Sequence, residues 1–240
     1  YTATSRTRSR FAKTTLGSFW LGFSNLLSIL TLGIVYGTVF SVANFRSYFI
    51  YLGIGLVVWN TLSSSISNAP QLFAHNASNI KNTNLNPIFY TLEEWSFQIQ
   101  TFAQSFLLVI LGLSFFQHDL FLNFLIVGWL PIINLFLFLF WGPLFVCLLG
   151  AKYRDLYQLV PIVLQLIFLL SPILYQKERL GGLVWTANFN PLYRILSDCR
   201  NALMNSSIEW NNSFFILIIN LFLVWLALKV LNKESSNLPF

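Results

Sequence analysis

Charged residues divide the chain into six long stretches that carry no charge. These stretches lie between Lys13 and Arg46, Arg46 and Lys81, Glu94 and Asp119, Asp119 and Lys152, Asp155 and Lys177, and Glu209 and Lys229. Because a charge is costly to bury in hydrocarbon, each stretch is a candidate membrane span. Even the shortest, residues 210–228, approaches the ~20 residues with which a helix crosses a bilayer. The pattern therefore predicts six transmembrane helices.

The polar ends of these stretches set the bounds of the predicted spans. Trimming gives spans over residues 17–40, 48–66, 95–116, 120–149, 157–175 and 210–230. Residues 63–86 are rich in asparagine, so we expect them to leave the second span as a loop. The fourth stretch contains Pro131 and Pro143 and exceeds one crossing, so it should be tilted, kinked or extended beyond the bilayer. The predicted fold is an all-α polytopic membrane protein, with residues 1–240 as a single transmembrane domain.

The composition excludes a water-soluble domain. Of the 240 residues, 56% are hydrophobic and only 9% are charged, whereas soluble domains carry about 25% charged residues. So few charges cannot cover the surface of a globule of this size. No apolar segment precedes the basic residues at the start of the sequence, so we expect no cleavable signal peptide and insertion directed by the first span.

The distribution of lysine and arginine predicts the orientation of the chain. Six spans place both termini on one side, and cytoplasmic flanks are enriched in basic residues. Nine basic residues fall on the side of the termini: Arg6, Arg8, Arg10, Lys13, Lys81, Lys152, Arg154, Lys229 and Lys233. Five fall on the other side, and four of these lie in the single segment 176–209. We therefore expect both termini in the cytoplasm.

Two segments on the predicted cytoplasmic side have an interfacial character. Residues 3–15 are basic and poor in large apolar side chains, which is equally compatible with a surface helix and with an unstructured basic flank at anionic headgroups. The loop after the second span keeps Leu72, Phe73 and Ile80 at roughly helical spacing. This spacing favours a short amphipathic helix over a solvated linker, because a linker has no use for Phe73 in water.

The segment 176–209 mixes apolar residues with charges, and no part of it is long and apolar enough to cross the membrane. It is predicted to form a pair of short helices that lie in or dip into the interface. Breaks are expected at Gly181-Gly182 and at Asn190-Pro191. The alternative is a soluble outer loop, and the apolar content of the segment counts against it.

The sequence offers little material for catalysis. The histidines His75 and His118 fall on opposite faces of the membrane, and neither a zinc motif nor a phosphate-binding loop occurs. Glu93 and Glu94 are adjacent, so on a helix they point about 100° apart and are better explained as an acidic cap than as a catalytic pair. The spans also lack the buried charges of ion-coupled transporters. The remaining possible functions are a scaffold, a gate, or a conduit that is driven by a partner.

Several short stretches resemble a known family. They are "KYRDL", then an apolar run and "SPILY", then "NPLYRILSDCR", together with "RSRFAKTTLGSFW" and "FAHNASNIKNTNLNP" upstream. In this order they resemble the membrane subunit of ABC-2-type transporters that export polysaccharides, a family that includes permeases for lipid-linked O-antigen, capsule and teichoic acid. The resemblance covers nearly the whole chain and implies the same six-span order, with an interfacial N-terminal segment, a cytoplasmic coupling helix and re-entrant outer helices between spans five and six.

The resemblance implies roles for particular residues. An interface that couples the chain to a separate ATPase matches Phe73, Asn79, Ile80, Lys81, Asn82, Lys152, Arg154 and Asp155. The cytoplasmic entrance, where relatives meet lipid headgroups and the pyrophosphate of the substrate, matches Arg10 and Lys13. The outer re-entrant helices match Asn190, Pro191, Arg194 and Arg200. Glu93-Glu94 departs from the neutral or basic flank that the family pattern leads us to expect.

The fifth span is predicted to act as a gate helix. Pro161 and Pro172 would bend its ends, and Ser171 could bond a backbone carbonyl that is freed there. Rings that pack on sugar faces could line the path, and the candidates are Trp59, Trp141, Tyr157 and Tyr175. The alternative for these rings is lipid contact and the interfacial belt, which is where most aromatic residues of a membrane protein lie.

The resemblance also implies partners. It leads us to expect a homodimer in the bacterial inner membrane, because one chain of six helices encloses at most half a channel. Two ATPase subunits, a lipid-linked glycan and membrane lipids complete the expected assembly, and no nucleic acid is expected. The chain itself needs no cofactor, since Mg-ATP would bind the ATPase. The alternatives are a drug or small-lipid exporter of the same superfamily, or a membrane scaffold or enzyme.

Overall fold

The computed structural model describes residues 2–12, 14–15, 17, 19–83 and 86–234. Within these residues the secondary structure is helical. The helices are α1 (Thr2–Phe11), α2 (Phe19–Val39), α3 (Phe45–Asn68), α4 (Leu72–His75), α5 (Ala77–Thr83), α6 (Ile88–Leu113), α7 (Asp119–Ile126), α8 (Trp129–Lys152), α9 (Leu156–Leu170), α10 (Val184–Phe189), α11 (Pro191–Asn205) and α12 (Trp210–Glu234). Two 3₁₀ segments, Ala69–Gln71 and Lys177–Leu183, precede α4 and α10.

Among the described residues, five helices are long and apolar enough to cross a membrane. They are α2, α3 with its continuation to His75, α6, α8 and α12. These helices confirm the predicted all-α polytopic membrane fold. The fifth predicted span corresponds to α9, which has 15 residues and is therefore about 22 Å long. That length is less than the hydrocarbon thickness of about 30 Å, so six spans stay a prediction.

Helix α3 is the central element of the fold. It contacts α2, α6, α8, α9 and α11, and its residues from Leu52 to Trp59 are all buried. Gly53 permits this close packing, because a Cβ atom there would lie 2.7 Å from Leu113 Cδ1. Helices α2 and α12 instead expose apolar side chains along much of their length. A helix that is apolar and exposed in this way is suited to contact with lipid.

Both ends of the described chain lie at one end of the helix bundle, which we call the terminal end. There the Arg6 guanidinium of α1 meets Glu94 of α6, and the Lys152 ammonium of α8 meets Glu234 of α12. The opposite end, which we call the distal end, carries the segment 171–209 and the connection between α2 and α3. Arg179 of the segment donates a hydrogen bond to the Phe40 carbonyl of the connection. Helix α9 runs from the terminal end towards the distal end.

Several predicted boundaries are wrong. The loop predicted over residues 63–86 is largely helical, because α3 continues to Asn68 and the helices α4 and α5 follow it. The predicted fourth span, residues 120–149, is not one helix: α7 ends at Ile126 and α8 begins at Trp129. Gly128 lies in the break, where a Cβ atom would come 2.9 Å from the Phe124 carbonyl oxygen. Pro131 falls in the first turn of α8, where no intrahelical N–H donor is required, while α8 continues through Pro143.

The third span begins at Ile88 rather than at residue 95. The Asn86 side-chain oxygen accepts a hydrogen bond from the Ile88 N–H at 3.1 Å, which helps to satisfy the first turn. Glu93 and Glu94 therefore lie more than a turn inside α6, and their interpretation as a cap at the helix N-terminus is wrong. Glu94 is instead held by Arg6 and by Gln98, whose side-chain amide donates to it at 2.8 Å.

Candidate functional site

A groove runs between α2, α3 and α9 within the thickness of the bundle. It encloses about 420 Å³, a volume within the range of ligand pockets (about 300–1,000 Å³). Its lining residues are Ser28 and Leu32 from α2, Leu56, Trp59, Asn60, Ser63 and Ser67 from α3, and Pro161, Leu164, Gln165 and Phe168 from α9. Two consecutive helices, α2 and α3, and the distant helix α9 thus form one surface.

The groove is uncharged and is lined by five polar and six apolar side chains. Asn60 is the middle residue of the 31-residue candidate span Phe45–His75, and Gln165 and three serines share the groove with it. Polar side chains are costly in hydrocarbon, and in membrane proteins they face a protein interior or a water-filled cavity. None of the described lining residues is charged. This surface therefore offers hydrogen-bonding groups to a ligand alongside apolar side chains.

A hydrogen-bonded relay holds the amide of Asn60. The Asn60 Nδ2 group donates to Asn25 Oδ1 at 3.1 Å, and Asn25 Nδ2 donates in turn to Ser105 Oγ. Asn60 is exposed, Asn25 is half-buried and Ser105 on α6 is buried. The relay thus begins in the packed interior and ends in the groove, which fixes the orientation of the exposed amide.

The structure brings together only some of the predicted path residues. Trp59 and Pro161 line the groove, and the Trp59 ring lies 5.6 Å from that of Phe168. Trp59 is only 5% exposed, so it forms the floor of the groove and offers little ring surface for stacking. Tyr157 is half-buried at the start of α9 and is not among the groove's lining residues.

Trp141 and Tyr175 lie elsewhere. The Trp141 Nε1–H group donates to Asn220 Oδ1 at 2.9 Å, which places this ring between α8 and α12. Tyr175 lines a different cavity of about 400 Å³ at the distal end, next to Phe40, Gln176 and Arg179. The four aromatic residues therefore do not form one continuous belt within the described chain.

The distal end of α9 is built around Ser171 and Pro172, which are both buried. The helix ends at Leu170 and Ser171 is extended, as expected for a residue that precedes proline. The Ser171 hydroxyl donates to the Ile167 carbonyl at 2.6 Å, and this carbonyl also accepts from the Ser171 N–H at 2.9 Å, so it is not a freed one. The hydroxyl also accepts from Asn190 Nδ2 at 2.7 Å, so the end of α9 is tied to the start of α11.

Asn190 and Pro191 form the predicted break before α11. The Asn190 side-chain oxygen caps the helix by accepting from the Leu192 N–H at 3.0 Å, and Pro191 occupies the first turn. The other predicted break lies at Gly181, which adopts φ +51°, a conformation that favours glycine. Arg194 is exposed and its Nε–H donates to the Asn188 carbonyl at 2.9 Å.

Sequence analysis did not reveal that Arg200 is buried. This side chain is 3% exposed, its guanidinium lies 3.5 Å from the centre of the Tyr51 ring, and Nη1 donates to the Pro172 carbonyl at 3.2 Å. Gly55 makes room for it, because a Cβ atom there would lie 2.2 Å from Nη2. Burial lowers the pKa of Arg200, and Tyr51 and Tyr193 oppose that change. Arg200 thus joins α11, α3 and the end of α9.

The predicted coupling residues 73–82 divide into a buried anchor and an exposed face. Phe73 is fully buried against α8 in the cluster with Leu144, Cys147 and Leu148. Its predicted contact with a partner is therefore corrected to an anchoring role. Asn79 and Asn82 are exposed on α5, and Ile80 is half-buried. The helices α4 and α5 confirm the predicted short helical segment, whereas the side chain of Lys81 lies outside the described part.

The other predicted coupling residues lie, like α4 and α5, at the terminal end of the bundle. The Lys152 ammonium lies 2.9 Å from a Glu234 carboxylate oxygen, and Arg154 and Asp155 are exposed between α8 and α9. Of the predicted entrance residues, Arg10 falls on α1 with its side chain outside the described part, and Lys13 lies wholly outside it. Among the described residues, no group of three His, Cys, Asp or Glu side chains could hold a metal ion.

Two proteins of Klebsiella pneumoniae, each named "O-antigen export system permease protein RfbA", are similar to this chain. One is 23% identical over 227 residues, and the other is 25% identical over 228 residues. Each alignment covers 93% of this chain and 86% of the relative. The resemblance to ABC-2-type polysaccharide-export permeases is confirmed. No family model matches the chain.

Proposed function

We propose that this chain is the membrane-spanning subunit of an ATP-driven ABC exporter. It moves a lipid-linked polysaccharide, of the O-antigen, capsule or teichoic acid type, from the cytoplasmic to the outer side of the bacterial inner membrane. The chain is a transport subunit, and ATP hydrolysis takes place in a separate partner. Two lines of support converge on this proposal: the O-antigen export permeases that align with nearly the whole chain, and the groove between α2, α3 and α9.

The uncharged groove, with its five polar side chains, is the observation that carries the proposal. A glycan presents hydroxyl groups along its whole length, and amides and serine hydroxyls can both donate to and accept from hydroxyls. The groove is open along one side, so one chain supplies one wall of a passage. Two copies related by a two-fold axis would close the path. We therefore propose that the groove is half of the polysaccharide channel.

The terminal end supplies the surface on which an ATPase would act. Helix α5 presents exposed residues there, and Phe73 anchors the preceding helix α4 in the core beside α8. Gly150 lets α8 touch this segment closely, because a Cβ atom there would lie 2.4 Å from the Pro70 carbonyl oxygen. A force applied to α4 and α5 would thus reach α8 and α3 through packed atoms. This arrangement supports cytoplasmic termini and a cytoplasmic motor.

A drug or small-lipid exporter is the second candidate function. Such an exporter would share its fold and its ATPase partner with a polysaccharide exporter. The two functions differ in what the cell loses when the chain is absent. Loss of a glycan from the cell surface supports polysaccharide export. An unchanged surface glycan, with loss of resistance to a drug, supports the second candidate.

The substitution Ser63→Trp tests whether the groove is the path. Ser63 is half-buried and lines the groove, so an indole at this position would fill it. We expect surface glycan to fall at least about tenfold in cells that carry only this variant. The control Ile218→Trp adds an indole on α12, where Ile218 is 65% exposed, and should leave export unchanged. Normal export by a Ser63→Trp variant that is present in the membrane at the wild-type level would contradict the proposed path.

A further inference from the structure

The amide of Asn60 has hydrogen-bonding capacity left over after the relay is formed. An asparagine side chain carries two N–H donors and a carbonyl oxygen with two lone pairs. One donor of Asn60 is directed to Asn25 Oδ1. The second donor and the carbonyl oxygen then belong to the exposed part of the side chain, which lines the groove. Asn60 therefore presents one donor and one acceptor side by side.

A donor and an acceptor side by side match two neighbouring hydroxyl groups of a sugar ring. One hydroxyl can accept from the N–H while the next donates to the carbonyl oxygen. An amide that rotates freely would lose entropy on forming such a pair, whereas an amide held by Asn25 and Ser105 has already lost it. The relay thus prepares Asn60 to bind a polyhydroxylated chain in the groove.

Gln165 supports the same chemistry from the opposite wall. It lies on α9, is exposed and lines the groove. No hydrogen bond to another described residue engages its side-chain amide. Neither amide carries a charge, so a chain can bind weakly at each step and leave again, which transport of a long polymer requires.

We propose that Asn60 is a sugar-binding residue of the groove, and that Asn25 is the positioning residue that orients its amide. The ligand is a chain of vicinal hydroxyl groups, and the exported glycan supplies it. This inference rests on the proposed function, because it takes the groove to be the polysaccharide path.

Cysteine labelling tests whether glycan covers Asn60. The two native cysteines, Cys147 and Cys199, are 1% and 2% exposed, so they should react slowly with N-ethylmaleimide. We expect the introduced cysteine of Asn60→Cys to react several-fold more slowly in cells that make the glycan than in cells blocked in its synthesis. The control Asn212→Cys, at an exposed position on α12, should react equally in both. Equal rates for Asn60→Cys would overturn the proposal.

Export by substituted chains tests the chemistry of the contact. We expect Asn60→Ala to lower surface glycan about fivefold or more, and Asn60→Gln, which keeps an amide, to retain more export than Asn60→Ala. Asn25→Leu removes the acceptor that orients Asn60 and should lower export as well. The Asn60→Cys chain has no amide at position 60 for Asn25 to orient. Adding Asn25→Leu to it should therefore change the effect of glycan on labelling by less than twofold, because Asn25 acts only through Asn60.

The results separate the inference from the proposed function. If Ser63→Trp blocks export while Asn60→Ala exports at the wild-type rate, the groove is the path but Asn60 does not bind the chain, and the inference is overturned. If neither substitution changes export, the groove is not the path, and both are overturned. The control Asn212→Ala should match wild type throughout, and melting temperatures of the purified variants establish that each chain is folded.

Discussion

At the residue scale, the structure distinguishes side chains that the sequence leaves alike. Arg194 and Arg200 lie on the same helix, yet the first is exposed and the second is 3% exposed. Apolar residues at Leu192, Ile195, Leu196, Cys199 and Leu203 follow helical spacing, and Arg200 lies four residues after Leu196 on that face. This signal was available in the sequence. The partners Tyr51 and Gly55 come from a distant helix and could not be predicted.

Removal of Arg200 should destabilise the distal end. The substitution Arg200→Ala deletes the stack on Tyr51, leaves the Pro172 carbonyl without this donor and opens a cavity in the core. We expect a loss of about 2–4 kcal/mol in the free energy of unfolding, seen as a lower melting temperature of the purified protein in detergent. Arg194→Ala changes an exposed residue and should stay within about 0.5 kcal/mol. Equal melting temperatures for the two variants would contradict the role given to Arg200.

Asp198 should make stability depend on pH. Burial, assisted by Glu209 and opposed by Arg194, raises the pKa of Asp198 from 3.8 to about 6. The folded state therefore holds this proton more tightly than the unfolded state, so the contribution to stability is full below about pH 4 and is lost as pH rises through 6. We expect Asp198→Asn to gain stability relative to wild type between pH 4.5 and 7.5, as followed by thermal unfolding. A constant difference between the two proteins would contradict the raised pKa.

At the scale of elements, the long uncharged stretches of the sequence predicted the helices but not the positions at which one helix ends and the next begins. Five apolar stretches became long helices because each can satisfy its own backbone hydrogen bonds. The break between α7 and α8 was missed, since it depends on Gly128 approaching the Phe124 backbone and on Asn123, whose amide donates to the Leu203 carbonyl. The groove was missed for a similar reason, because its walls come from α2, α3 and α9.

Polar side chains join α8 to α12. The Asn220 amide accepts from Trp141 at 2.9 Å and donates to Asn134 Oδ1 at 3.2 Å. Both asparagines are buried, so removal of one leaves polar groups without partners. We expect Asn220→Leu to lower the free energy of unfolding by about 1–2 kcal/mol. Asn212→Leu, at an exposed position on α12, provides the matched control in the same thermal unfolding measurement and should change stability little. Equal stability of the two variants would show that this network contributes nothing to helix association.

At the scale of the whole molecule, the described part of the chain combines an exposed apolar exterior with an uncharged groove that contains five polar side chains. The exterior suits lipid, and the groove suits hydroxyl groups. In the described chain, α4 and α5 lie at the terminal end, whereas Ser171 and Arg200 lie at the distal end. This arrangement fits the proposed exporter, in which an ATPase would act at the terminal end and the glycan would leave at the distal end. Under the proposed function, a second copy of the chain would close the groove and an ATPase would supply the energy.

Native mass spectrometry of the complex tests this central claim most directly. The protein is extracted gently from its own membrane, captured through a tag on the chain and weighed intact. We predict an assembly of two copies of this chain with two copies of a soluble ATPase that contains a phosphate-binding loop. Repeated recovery of the chain without any ATPase, from membranes in which the surface glycan is being exported, would contradict the motor-driven exporter and favour a scaffold or a membrane enzyme.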